Sequence, residues 1–189
     1  MKPMNTYKRT LSLLLVLTLS LALLAAPALA AELPDSLYLV QSRRGTCTLA
    51  SAAMMVRSAL YLGGSDNWEN ATEQDVQNVA WNSAGLVWSW TYVTGDDWVS
   101  VEHASVSGMT LEELEDLLYY HPEGIVLYCG NLPHAVFVTE SWYGEIWCAD
   151  PIYGYLSTLA DSYLGSYGGQ DSILANVTAY WVVADWSIG

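Results

Sequence analysis

Positive charge is almost absent from this 189-residue chain beyond its first thirty residues. Residues 31–189 contain no lysine, and only Arg43, Arg44 and Arg57 supply positive charge there apart from histidine. All twenty acidic residues also lie in this stretch, so three arginines against twenty acids give a net charge of −17. Such a surface repels nucleic-acid phosphates and anionic membranes. We therefore expect neither as a partner.

Cysteine is also scarce, with Cys47, Cys129 and Cys148 the only three in the sequence. No CxxC, HExxH or clustered His/Cys pair is present, so the sequence predicts no metal site and no cofactor. An odd number of cysteines leaves at least one thiol outside any disulfide. Residue 31 is alanine and not the cysteine that a lipid anchor would need directly after the leader.

The N-terminal segment, residues 1–30, has the composition of an export signal. Its first ten residues carry three positive charges, a largely apolar run covers 11–24, and Ala28-Leu29-Ala30 is a small-residue cleavage pattern. The run is shorter than the ~20 residues of a membrane-spanning helix. We predict a signal peptide at 1–30 and a secreted, monomeric single domain at 31–189.

Hydrophobic periodicity, capping residues and turn residues predict helices first and an antiparallel sheet afterwards. This order is typical of an α+β fold. The predicted helices cover 45–61, 72–83 and the residues after the capping box that begins at Thr110, and the predicted strands cover 125–129, 134–140, 145–150 and 178–183, with a β-prone stretch at 85–101.

Cys47 lies where the loop 41–46 meets the start of the first predicted helix. A thiol at this position faces the positive end of the helix dipole and free backbone N–H groups, which favour the thiolate. The thiolate is the nucleophilic form of cysteine, so Cys47 is a candidate nucleophile. The alternative is a buried cysteine that only packs.

His134 begins a predicted strand, and Asp150 ends the next one. If a turn of three or five residues joins them, Val136 lies opposite Asp150, and the carboxylate comes within reach of the imidazole on one face. A carboxylate in that position fixes the imidazole tautomer in a catalytic triad. A turn of two or four residues would place the two side chains on opposite faces. The alternative is a strand-end histidine and a turn-forming Asp-Pro.

Three residues of the loop before Cys47, Gln41, Arg43 and Arg44, are candidates for a role in the site. Gln41 is a candidate donor to the oxyanion of an acyl-transfer intermediate, or an ordinary loop glutamine. Arg43 and Arg44 have three interpretations: they attract an acidic substrate, favour the thiolate, or pair with acidic side chains.

This order of residues resembles that of the papain-like cysteine peptidases, and more closely the bacterial bacteriocin-leader-peptidase-like branch. The resemblance implies that Cys47 attacks the carbonyl, His134 moves the proton, Asp150 orients His134 and Gln41 helps to form the oxyanion hole. The chain departs from the family at Thr48-Leu49, where Gly-Pro is usual. The motifs that carry the resemblance are Gln41-Ser42-Arg43-Arg44-Gly45-Thr46-Cys47, Gly124-Ile125-Val126-Leu127, His134-Ala135-Val136-Phe137-Val138-Thr139 and Cys148-Ala149-Asp150-Pro151.

The resemblance implies a papain-like fold and a secreted hydrolase that cleaves a peptide or protein substrate through a thioester. Two other functions stay open: an inactive relative that only binds peptides, and a cell-wall amidase or endopeptidase. A transferase with the same triad is a further alternative that nothing in the sequence favours.

The two remaining cysteines are predicted to be separate thiols. If the strand that begins at His134 lies between those of Cys129 and Cys148, the two Cα atoms are about 10 Å apart. A disulfide needs less than about 7 Å.

Overall fold

The computed structural model describes residues 32–189, and the predicted signal peptide lies outside them. Short 3₁₀ helices cover Asp35–Leu37, Trp68–Asn70 and Tyr163–Tyr167. The other elements are α1 (Cys47–Gly63), α2 (Glu73–Ala80), β1 (Trp81–Asn82), β2 (Gly85–Leu86), β3 (Trp90–Thr94), β4 (Asp97–Ser105), α3 (Leu111–Tyr120), β5 (Ile125–Cys129), β6 (His134–Trp142), β7 (Glu145–Ala149), β8 (Leu156–Thr158), α4 (Gln170–Leu174) and β9 (Ala179–Ser187).

Within the described residues, a seven-stranded antiparallel sheet has the order β3-β4-β9-β5-β6-β7-β8. A separate small ladder pairs β1 with β2. The predicted α+β class, with a helical N-terminal part and an antiparallel sheet, is confirmed. No helix in residues 32–189 is both long and apolar enough to cross a membrane.

Helix α1 is buried over most of its length. It begins at Cys47, and Gly64 follows its end in the left-handed conformation (φ 84°), which glycine adopts without steric cost. Apolar side chains lie on all sides of α1 instead of on one stripe, so the helix is covered on all sides. The sheet covers one side, while α2 and the 3₁₀ helices Asp35–Leu37 and Trp68–Asn70 also pack on it.

A buried arginine ties these N-terminal segments to α1. The guanidinium of Arg57 donates hydrogen bonds to the main-chain oxygens of Ala71 (2.7 Å), Ser36 (2.9 Å) and Glu69 (2.7 Å). These bonds satisfy a buried charge with backbone acceptors in place of a carboxylate. One of the three arginines beyond residue 30 therefore has a structural role.

The sheet separates two hydrophobic clusters. One cluster joins α1 to Val126, Phe137 and other side chains on one face of the central strands. The second joins Leu114 of α3 to Val136 and others on the opposite face. The alternation of neighbouring residues between the two clusters follows the two-residue period of a β-strand.

Several predicted elements agree closely with the structure. Both predicted N-caps form complete capping boxes, Thr72 with Asp75 and Thr110 with Glu113. The second helix ends at Ala80, earlier than predicted, because the following two residues pair as β1 with β2. Strand β8 and helix α4 have no counterpart among the predicted elements.

Candidate active site

The β6–β7 hairpin brings His134 and Asp150 together, although its turn has the length that the sequence analysis linked to opposite faces. The turn has two residues, Tyr143 and Gly144, both at positive φ (51° and 80°). Such a turn matches the twist of a hairpin, but alone it would place His134 and Asp150 on opposite faces. A β-bulge at Thr139 adds one residue to β6 and restores the predicted register.

Beyond the bulge the pairing is the predicted one. Phe137 lies opposite Ala149, so Val136 falls opposite Asp150 when the register continues past the last pair. The Nε2–H group of His134 donates to Oδ1 of Asp150 at 2.9 Å. Because a carboxylate only accepts hydrogen bonds, this contact fixes the proton on Nε2.

Asp150 is fully buried and uses both carboxylate oxygens. Oδ1 also accepts the backbone N–H of Ile152 (2.8 Å), and Oδ2 accepts the N–H of Tyr163 (2.8 Å). Its main-chain oxygen accepts two more N–H groups of the following turn. Asp150 therefore contacts the imidazole and also caps the Asp-Pro turn, which joins the two interpretations that the sequence leaves open.

His134 is 4% exposed and lies between Asp150 and the Cys47 thiol. Burial lowers the pKa of His134, but the hydrogen bonds and charges of Asp150 and Cys47 outweigh it and raise that pKa to about 9. Since Nε2 is bonded to Asp150, Nδ1 is the ring nitrogen left to interact with the Cys47 thiol. The imidazole is thus protonated at neutral pH.

Cys47 is the first residue of α1 and is 7% exposed. Burial raises the pKa of the Cys47 thiol, yet its pKa is lowered overall by the hydrogen bond and charge of His134 and by the N–H groups of Ala135 and Thr48. The structure therefore brings together a thiol whose pKa is lowered, an imidazole whose pKa is raised and the carboxyl group of Asp150.

The loop that carries Gln41 is fixed next to the Asp-Pro turn. The N–H of Gln41 donates to the main-chain oxygen of Pro151 at 2.7 Å. Gly154, at φ 71°, lies so close to Val40 that a Cβ there would be 2.4 Å from Val40 Cγ2. Within residues 32–189, Oε1 of the half-buried Gln41 amide has no hydrogen-bond partner.

Tyr163 is a site residue that the sequence did not indicate. It lies thirteen residues after Asp150, and its N–H holds Oδ2 of that carboxylate. Its ring contacts the His134 ring edge-to-face, with centroids 5.3 Å apart and planes at 72°. Its hydroxyl is 2.8 Å from that of Tyr167. No local motif could indicate this contact, because the 3₁₀ helix Tyr163–Tyr167 folds back onto β6.

Cys129 and Cys148 are free thiols, as predicted, and β6 separates their strands. Burial raises the pKa of Cys129 to about 11. The pKa of Cys148 is raised further, by burial and then by the charge of Asp150. Cys47 is therefore the cysteine whose environment favours the thiolate.

The surface arginines of the loop before Cys47 form no ion pair with a carboxylate in the described part of the chain. The guanidinium of Arg43 donates to Oε1 of Gln77 at 3.2 Å, and Arg44 is exposed. The groups that lower the pKa of Cys47 are His134 and two backbone N–H groups, and neither arginine is among them.

The arrangement can form and break an acyl bond, because it joins an activated nucleophile, a proton carrier and an orienting acid.

Comparisons of the chain with known protein families, with curated proteins and with solved structures gave no match.

Proposed function

We propose that this chain is a cysteine hydrolase of the papain-like kind that cleaves a peptide or amide bond through a thioester, and that it acts after export. One observation carries this proposal: His134, hydrogen-bonded to the buried Asp150, lowers the pKa of the Cys47 thiol at the start of α1. The positions of the three residues also support a papain-like fold. Cys47 begins a helix, His134 begins a strand, and Asp150 follows the end of the next strand.

In the acylation step the Cys47 thiolate attacks the carbonyl carbon of the scissile bond, and the carbonyl oxygen becomes an oxyanion. His134 then gives its Nδ1 proton to the leaving nitrogen as the C–N bond breaks, which leaves a thioester on Cys47. Asp150 holds the ring through Nε2 during this transfer.

In the deacylation step His134, now neutral, takes a proton from water, and the resulting hydroxide attacks the thioester carbonyl. The C–S bond breaks, the acid product leaves, and the thiolate–imidazolium pair is restored. His134 therefore gives up one proton during acylation and recovers one from water during deacylation.

The oxyanion needs donors at the start of α1. The first N–H groups of a helix have no intrahelical acceptor, so the N–H of Cys47 is suited to this role. The side-chain amide of Gln41 is the second proposed donor. Its anchored loop supports this role, because catalytic donors act best when they are held in place before the reaction.

The pH dependence of two reactions at Cys47 tests the proposal. We expect iodoacetamide to alkylate Cys47 with a midpoint below the ordinary thiol pKa of about 8.5, because the pKa of Cys47 is lowered. Hydrolysis should rise over the same range and fall again near pH 9, where His134 loses its proton.

Cys129 is the internal control in this experiment. Peptide mapping should show Cys47 alkylated far faster than Cys129, whose pKa is about 11. Equal labelling of the two cysteines would contradict the proposal. Fast labelling without hydrolysis of any peptide would favour the inactive peptide-binding relative, and cleavage confined to cell-wall peptides would favour the amidase.

Tyr163 should act as a positioning residue for His134. Tyr163→Leu removes the edge-to-face contact but keeps the backbone N–H that binds Asp150. An aromatic contact of this kind contributes about 0.5–1.5 kcal/mol, so we expect a loss of roughly two- to tenfold in kcat/KM, with the alkaline limb of the pH profile displaced.

Tyr163→Phe is the matched control, because it keeps the ring and loses only the hydroxyl contact with Tyr167. Its kcat/KM and pH profile should stay near those of the parent protein. Equal losses in the Leu and Phe variants would mean that the hydroxyl, and not the ring, is what matters.

A further inference from the structure

The loop before the nucleophile carries the only exposed Lys or Arg side chains of the region 32–189, Arg43 and Arg44. The third basic residue, Arg57, is buried against main-chain oxygens. All other formal charges of Lys, Arg, Asp and Glu in this region are negative. Two positive charges three and four residues from Cys47 are thus a local exception in a strongly acidic molecule.

Hydrogen bonds fix the loop that presents these arginines. Ser42 donates to Glu73 through both its N–H and its hydroxyl, each at 2.7 Å. The N–H and hydroxyl of Thr46 donate to the main-chain oxygen of Arg43 at 3.4 and 2.8 Å. Gly45, at φ 86° in the turn between them, adopts a conformation that other residues rarely adopt.

The arginines have no carboxylate partner among the described residues. Glu73 lies on α2 beside the loop, and its two carboxylate oxygens accept hydrogen bonds from Ser42. Arg43 is held by the neutral amide of Gln77, which leaves its charge uncompensated. A planar guanidinium presents paired N–H donors that match a carboxylate, so a carboxylate is the group this loop is suited to bind.

We infer that the substrate carries a carboxylate close to the scissile bond and that Arg43 and Arg44 bind it. This inference rests on the proposed function and adds the substrate class to it. Chain lengths of three and four residues limit the Cα atoms of Arg44 and Arg43 to about 11 and 14 Å from that of Cys47, so the loop places both arginines beside the nucleophile. The carboxylate is either an acidic side chain or a free C-terminus.

Two alkylating agents that differ in charge test the inference without a known substrate. Iodoacetate is an anion and iodoacetamide is neutral, and in both reactions the Cys47 sulfur bonds to carbon as iodide leaves. At pH 7 and ~10 mM salt, the variant with Arg43→Gln and Arg44→Gln should show the ratio of the iodoacetate rate to the iodoacetamide rate lowered about fivefold.

Thr91→Glu and high salt are the controls. Thr91 is exposed on the edge strand β3, with three strands between β3 and β6, so the variant adds a distant negative charge and should leave the ratio unchanged. At ~1 M salt, where charges are screened within about 3 Å, the parent protein and the double arginine variant should give similar ratios.

The outcomes separate this inference from the proposed function. Fast alkylation by iodoacetamide with an unchanged ratio in the double variant overturns the inference alone. Slow alkylation of Cys47 by iodoacetamide overturns both.

Peptide libraries distinguish the two sources of the carboxylate. Libraries with Glu or Gln at one position, each with a free or an amidated C-terminus, should show cleavage that depends on one of these groups. Cleavage that depends on neither group, in the parent protein, overturns the inference.

Discussion

Replacing Cys47 by alanine should abolish hydrolysis and leave the fold intact. The variant loses the nucleophile, for which no other described thiol can substitute, and catalytic triads that lose this group slow by roughly 10⁴- to 10⁶-fold. The side chain is small and lies at the start of α1, so we expect the melting temperature to change by only a few degrees. Turnover and thermal unfolding of the same preparation check both expectations.

Cys129→Ala is the matched control for this substitution. Cys129 is also small and buried, but it lies within a hydrophobic cluster and its thiol hydrogen-bonds the main-chain oxygen of Ile173, at 3.7 Å. We expect about 1 kcal/mol lower stability and unchanged kcat/KM per folded molecule. Activity that survives in Cys47→Ala, or is lost equally in both variants, would show that Cys47 is not the nucleophile.

Replacing Asp150 should reduce both activity and stability. Asp150→Ala leaves the N–H groups of Ile152 and Tyr163 without their acceptor and frees the His134 ring to rotate. We expect a loss of roughly 10²- to 10⁴-fold in kcat per folded molecule and about 2–5 kcal/mol lower stability.

Asp150→Asn should be milder but not neutral. One carboxylate oxygen becomes an NH₂ group, which must face an N–H donor, because both oxygens of Asp150 accept hydrogen bonds. We expect a loss of roughly ten- to a hundredfold in kcat and about 1–3 kcal/mol lower stability. The alkaline limb should move below pH 9, because Asp150 is the main group that raises the pKa of His134.

Asp97→Asn provides the control that separates the two roles of Asp150. Asp97 is also buried and accepts a backbone N–H, that of Gly189 at 3.0 Å, but its hydrogen bonds do not reach His134. Asp97→Asn should lower stability and leave the pH profile unchanged. If the Asp150 variants behave in the same way, Asp150 only caps its turn.

The hairpin shows how far local patterns reach. Alternating apolar residues predict β6 and β7. The pairing considered from the sequence, Val136 opposite Asp150, is also the register near the site. The turn of two residues was not predicted, nor was the bulge at Thr139. Neither the short turn nor the bulge changes the pattern of apolar residues enough to be seen in the sequence. Their opposite effects on the strand register cancel at the end of the hairpin that holds His134 and Asp150.

The sequence by itself determined the α+β class, the position of Cys47 near the start of α1, the capping box at Thr110 and the strands that precede Asp150 and begin at His134. These features depend on residues within a few positions of one another, whose spacing and capping chemistry act locally. Only the tertiary structure decided that the Tyr163 ring packs on His134, that Asp150 both caps its turn and bonds the imidazole, and that Glu73 binds Ser42 while Arg43 binds the neutral Gln77. Apart from the cap of the turn, those contacts join segments far apart in the sequence, and the packing of the whole chain sets such distances.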